Sequence, residues 1–114
     1  MNAGAYLKEI WRGKDTYRIL MNIECARHTL YGKVADLGSG VNKASYHRFF
    51  KKDNGVEIAA LDTLFDKHCE KGFPIDLEKD ILPYADNSID VVLAFNIFEH
   101  IYNYAFLLKE IRRI

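Results

Sequence analysis

The sequence predicts an α/β fold: a Rossmann-like, doubly wound and mainly parallel sheet of about four strands. Three observations carry this expectation. Short apolar runs alternate with segments of helical periodicity, the pattern of strands joined by crossover helices. The run Ile89-Asp90-Val91-Val92-Leu93-Ala94-Phe95 is nearly continuous in apolar residues, as expected of a strand buried on both faces of a parallel sheet. The run Val34-Ala35-Asp36-Leu37 breaks directly into Gly38-Ser39-Gly40, a strand entering a glycine loop.

Two helical segments are expected to open the chain, the second over about residues 16–30. Asp15 suits its N-cap and Gly32 its stop, with Ile19, Ile23, Ala26 and Leu30 at helical spacing on its buried face. Residues 1–31 then form an N-terminal helical segment ahead of an α/β domain over 32–114. Its first strand runs over 33–37, followed by a helix over about 43–51 with Asn42 as cap. A second strand, 56–61, ends in Asp62. A short helix over 64–70 and a third strand over 73–76 follow, Pro74 pointing to an edge position. Beyond the turn-rich residues 83–88 comes the fourth strand, 89–95, where Asp90 reads as structural. The final helix carries Ile101, Ala105, Leu108 and Ile111 at helical spacing, and the pattern is still helical at Ile114.

Composition narrows the function classes. A chain of 114 residues makes one small domain with a modest core. Sixteen basic and sixteen acidic residues cancel, so no global field argues for nucleic acid or an anionic membrane as partner. No apolar run approaches the ~20 residues that span a bilayer, and no secretory leader is visible at the start. Cys25 and Cys69 are far apart and form no CxxC pattern, which suits reduced thiols in a cytoplasmic protein. His28, His47 and His68 share no ligand spacing, and His68-Cys69 with Asp66 is a poor ligand set, so no metal site is expected.

In doubly wound sheets, ligands bind outside the carboxyl ends of the strands, where the strand order reverses. Polar residues gather at those ends: Asp36 with its glycine loop, Asp62, Asp76 and Asn96. A carboxylate at the loop mouth would repel a diphosphate and suits a ligand that carries positive charge. S-adenosylmethionine (AdoMet), with its sulfonium and ammonium groups, is such a ligand. A dinucleotide fingerprint would need glycine where Lys43 stands, and no Gly-Lys-Ser/Thr follows the loop, so neither NAD nor a P-loop nucleotide is indicated.

The motif VADLGSG over 34–40, Leu61-Asp62, Asp76, and the run LPYADNSIDVV over 82–92 continuing through Asn96-Ile97-Phe98-Glu99-His100-Ile101 into LKEIRR over 108–113 together resemble the class I AdoMet-dependent methyltransferases, in particular the methyltransferase 11 group. The resemblance covers about residues 32–114 and implies transfer of a methyl group from AdoMet to a small-molecule acceptor by in-line displacement. It places Asp36, Gly38, Ser39 and Gly40 under the methionine part of AdoMet, and Asp62 on the ribose hydroxyls. Thr63 and Leu64 would lie along the adenine, Asp76 and Leu77 at its edge, and Phe95 with Asn96 at the cofactor floor near the methyl. For Asp62 a helix N-cap is the lesser alternative, whereas Asp76 equally suits a surface turn. His100 beside Glu99 is the candidate general base, against a plain helix-start role. Tyr6, Trp11 and Tyr17 either cap a substrate pocket or simply pack, the packing role being the preferred one.

The chain departs from the family pattern in two places. Asn42 stands where a third small residue is common, and the family continues beyond this last helix with a fifth strand and a closing hairpin. The sequence therefore reads as a domain truncated before the fifth strand. Strand four would be left as an open edge, to be covered by a second copy or by a partner chain. A non-catalytic subunit that keeps the cofactor fold is the alternative to an active enzyme, and another nucleotide-binding α/β enzyme is a third reading.

Overall fold

The computed structural model describes residues 3–39, 44–62 and 73–114. Helices α1 (Ala3–Trp11), α2 (Thr16–Cys25) and α3 (Tyr104–Arg113) accompany strands β1 (Thr29–Leu30), β2 (Lys33–Leu37), β3 (Lys51–Lys52), β4 (Glu57–Asp62), β5 (Phe73–Pro74) and β6 (Val91–Leu93). Two 3₁₀ turns, Ser45–Arg48 and Phe98–His100, complete the described elements. The expected helix over 64–70 lies outside the described residues.

The parallel α/β sheet expected from the sequence is present. Its order is β5-β4-β2-β6 and every pairing is parallel, with β2 at its centre. Asp36 stands opposite Ala60 on one side and Leu93 on the other. The chain steps outward from β2 to β4 to β5, then returns to the far side of β2 to lay down β6. The order thus reverses between β2 and β6, and that reversal opens a crevice at the carboxyl ends of these two strands. β1 and β3 form a separate parallel pair.

Side chains alternate across β2 and feed two cores. Leu37 joins Leu61, Leu77, Leu82, Ile97, Leu107 and Ile114 on one face, under α3. Val34 joins Cys25, Leu30, Tyr46, Phe50 and Leu93 on the other, under α2 and the first 3₁₀ turn. Burial raises the Cys25 thiol pKa above its ordinary value.

Several local expectations shift. Helix α2 stops at Cys25, and Leu30 belongs to a strand instead; the helix buries Ile19, Asn22 and Cys25, while Ala26 is exposed. Asp15 caps it as expected, accepting from the Arg18 N–H at 2.8 Å. The described part of the helix expected over 43–51 is a single 3₁₀ turn, followed by β3. In α3 the buried face is Leu107 and Glu110 rather than Ala105 and Leu108, because Glu110 finds partners inside. Asp90 is structural: its carboxylate accepts from the Lys33 N–H at 2.8 Å, and a Cβ on Gly32 would stand 2.0 Å from that carboxylate. No described helix is long and apolar enough to cross a membrane, and no described cluster of His, Cys, Asp and Glu could hold a metal ion.

Candidate cofactor cleft

The loop after β2 has to turn sharply under the sheet end. Gly38 takes φ +74°, which L side chains rarely adopt, and donates its N–H to the Leu61 carbonyl of the neighbouring strand at 2.7 Å. A Cβ at this position would lie 2.1 Å from Ile97 Cγ2. The backbone after β2 is thereby packed against the Ile97 side chain beyond β6, where Asn96 also adopts a positive φ of 55°. Between them lies a cleft of about 510 Å³, walled by Gly38 and Ser39, by Ala44, Ser45 and Tyr46, and by Phe95 and Asn96. Asp15, Tyr17, Arg18 and Met21 of the α2 region form its remaining side.

Asp36 stands behind this wall rather than on its surface. It is fully buried, and Tyr46 donates its hydroxyl to both carboxylate oxygens at 2.8 Å while His47 Nε2 bonds the second oxygen. Burial, and then the adjacent Asp36 charge, push the Tyr46 hydroxyl pKa far above its ordinary value, so Tyr46 remains a donor. The Tyr46 ring also meets Phe95, with centroids 4.7 Å apart. Among the described residues, the Asp36 carboxylate is thus engaged within the protein. Asp36 holds Tyr46, which lines the cleft, and His47 behind it, because a buried charge must find its hydrogen bonds within the protein.

Other expected site residues divide clearly. Gly38, Ser39, Phe95 and Asn96 come together at the cleft. Gly40, Thr63 and Leu64 lie outside the described residues, as does the Asp62 side chain, although the Asp62 backbone ends β4 as expected. Asp76 accepts from the Glu78 N–H at 3.0 Å and pairs with Lys79 at 2.9 Å. The Lys79 bond and then that backbone bond hold its carboxyl below the ordinary range. Asp76 thus closes a turn, Leu77 is buried in the core beside it, and neither lines the cleft. His100 is exposed on the second 3₁₀ turn and is not among the residues that line this cleft.

The sequence reading missed Tyr46 and His47 as partners of Asp36, and Arg18 and Met21 as cleft residues. Tyr46 and His47 follow the glycine loop by a few residues, where a chain leaving a strand folds back over the strand end; that position is their only sequence signal. Tyr17, held between capping and packing roles, is placed at the cleft, and its hydroxyl donates to Asn96 Oδ1 at 2.6 Å.

The wall suits the sulfonium cofactor that the sequence resemblance implies. Ser39 Oγ is buried without a hydrogen-bond partner among the described residues, and the Gly38 turn leaves backbone rather than side chain at the strand end. Residues 35–114 match the family model described as the methyltransferase domain, of methyltransferase 11 type. No curated protein and no solved structure matches the chain. With its parallel sheet, switch-point cleft and a match over more than half its length, the chain belongs to the methyltransferase 11 family of class I AdoMet-dependent methyltransferases.

Proposed function

We propose that the cleft between β2 and β6 binds AdoMet and that the protein methylates a small-molecule acceptor. The observation that carries this reading is the convergence of Gly38-Ser39 and Phe95-Asn96 on one cleft at the strand switch point. When bound, AdoMet supplies a methyl group already activated by its sulfonium. Gly38, Ser39 and Gly40 would support the methionine part, and Asp62 the ribose, with Thr63 and Leu64 along the adenine. Asp76 and Leu77 would serve the adenine edge through the backbone of their turn, the Asp76 carboxylate being engaged within it. Phe95 and Asn96 would form the floor on which an acceptor is held at the ~3–3.5 Å needed for in-line attack. Tyr17, hydrogen-bonded to Asn96, would border the acceptor side of the cleft.

Calorimetric titration with AdoMet, S-adenosylhomocysteine and NAD tests the reading. Micromolar binding of the two adenosyl ligands and none of NAD is expected. Asp62→Ala should weaken that binding by about 1–3 kcal/mol through loss of charge-assisted hydrogen bonds to the ribose. NAD binding, or no adenosyl binding by the folded chain, would overturn it.

A second reading concerns assembly. Among the described residues β6 pairs with β2 alone, so its outer edge offers backbone groups to a further strand. We infer that a second copy of the chain covers this edge. The non-catalytic alternative, a binding subunit that keeps the cofactor fold, would combine such pairing with an absence of turnover.

A further inference from the structure

Asn96 is fixed on the cleft wall from three directions. Its backbone takes a φ of 55°, a left-handed conformation that asparagine tolerates better than most side chains and that recurs at functional sites. Its chain neighbours are anchored: Phe95 meets the rings of Tyr46 and Phe50, with centroids 4.7 Å and 6.3 Å away, and Ile97 is buried beside the Gly38 turn. The amide itself is oriented by Tyr17, whose hydroxyl donates to Oδ1 at 2.6 Å from a helix 79 positions away in sequence.

An amide carries an acceptor at one end and two donor hydrogens at the other. Tyr17 occupies the acceptor end, and Nδ2 has no hydrogen-bond partner among the described residues. The end left for a ligand is the donor end. A nucleophile that attacks a methyl group in line spends one lone pair on the new bond. An oxygen nucleophile keeps further lone pairs that can accept from Nδ2. A neutral amine has spent its only pair and presents N–H groups, which would face the Asn96 donors without an acceptor. Asp15 is the one carboxylate among the residues that line the cleft, and its Oδ1 is taken up in capping α2. The acceptor must therefore arrive already ionised.

We infer that Tyr17 is a positioning residue that turns the Asn96 amide donors towards the acceptor, and that the acceptor is the oxyanion of an acidic hydroxyl compound, such as a phenolate. The inference deepens the AdoMet reading above and rests on it. The oxyanion has lost its proton to water before binding; it forms the new O–CH3 bond as the S–CH3 bond breaks, and the bonding pair stays on sulfur. Tyr17 lies outside the segment that matches the family model, so the N-terminal helices gain a part in choosing the acceptor.

The test is calorimetry on the S-adenosylhomocysteine complexes of the wild-type chain, Tyr17→Phe and Asn96→Asp. The probes are 4-nitrophenol, ionised at pH 8, and 4-nitroaniline, which has the same shape with an amino group in place of the oxyanion. The wild-type complex should bind 4-nitrophenolate about 10- to 100-fold more tightly than 4-nitroaniline. Tyr17→Phe frees the amide to rotate, and the ratio falls towards one. Asn96→Asp removes the donors, and the preference inverts. If Tyr17 only packs, its loss weakens both probes together and leaves the ratio unchanged, which overturns the inference. Equal wild-type affinities for the two probes, or no binding of 4-nitrophenolate, also overturn it. In each of these cases retained binding of S-adenosylhomocysteine leaves the AdoMet reading standing. A folded wild type that binds neither AdoMet nor S-adenosylhomocysteine overturns that reading, and this inference with it.

Discussion

A carboxylate removed from water is costly unless hydrogen bonds replace its hydration, and Asp36 receives them from Tyr46 and His47. At this scale the position is also unforgiving, since any change leaves buried polar groups unmatched. His47 Nδ1 already lies buried with no partner among the described residues. Asp36→Asn keeps the shape but brings two amide hydrogens into a site built of donors. It should therefore destabilise the fold by about 1–3 kcal/mol, read as a lower urea midpoint at unchanged slope. A midpoint equal to that of the wild type would show that the carboxylate charge is not required there. The same variant should weaken AdoMet, because Tyr46 forms a cleft wall only while its hydroxyl is held.

At the scale of elements, α3 acts as a clamp on the loop before β6. Glu110 accepts from the Leu82 N–H at 3.0 Å, and Arg113 donates to the Leu82 and Tyr84 carbonyls and to Asp86. Glu78 works at the other end of the helix, accepting from the N–H groups of Tyr102 and Asn103. Through Asp86 and the backbone of Leu82 and Tyr84, the α3 bonds tether the LPYADNS run to the helix. The Arg113 hydrogen bonds hold the Glu110 carboxyl below its ordinary 4.5. A lowered folded value means that the charged form stabilises the native state. The contribution is full above about pH 4.5 and fades as the pH falls through the lower folded value. Glu110→Gln should cost about 1–2 kcal/mol at pH 7, with the gap to wild type closing towards pH 3. Urea titrations at both pH values check this, and a gap independent of pH would assign the loss to shape rather than charge.

For the whole molecule, the sheet order decides both the cleft and the edge. One reversal, between β2 and β6, creates the crevice, and the same reversal leaves β6 paired on one side among the described residues. An apolar edge strand invites pairing with another chain. Sedimentation equilibrium should therefore show a dimer that dissociates on dilution, and a monomer at every concentration would remove the second-copy reading. Exposed aromatic residues lie near that end of the molecule, Tyr102 at 95% and Phe98 at 39% exposure. Outer apolar surface also remains on α1, where Trp11 is 89% exposed.

Local chemistry was enough to write the strand–loop–helix plan into the sequence. β2 and the start of α2 fall where the apolar runs and the Asp15 cap place them, since period and capping act over a few residues. The glycine loop was legible for the same reason: a sharp turn after a strand needs Gly38 wherever it occurs. What the neighbours of a charge would be was not legible. Asp36 turned inward because Tyr46 and His47 fold back over β2, and Asp76 closed on its own turn. His100 stayed outside the cleft, and Arg18 entered it from a helix that the glycine motif does not announce. Apart from the local Asp76 turn, those outcomes depend on contacts between residues ten to eighty positions apart. The sequence by itself determined the parallel α/β plan, the strand before the loop and the glycine turn. Only the tertiary structure decided which polar groups are satisfied inside the protein and which are left for a ligand, because burial and partner geometry, not residue type, set where such a group can find its hydrogen bonds.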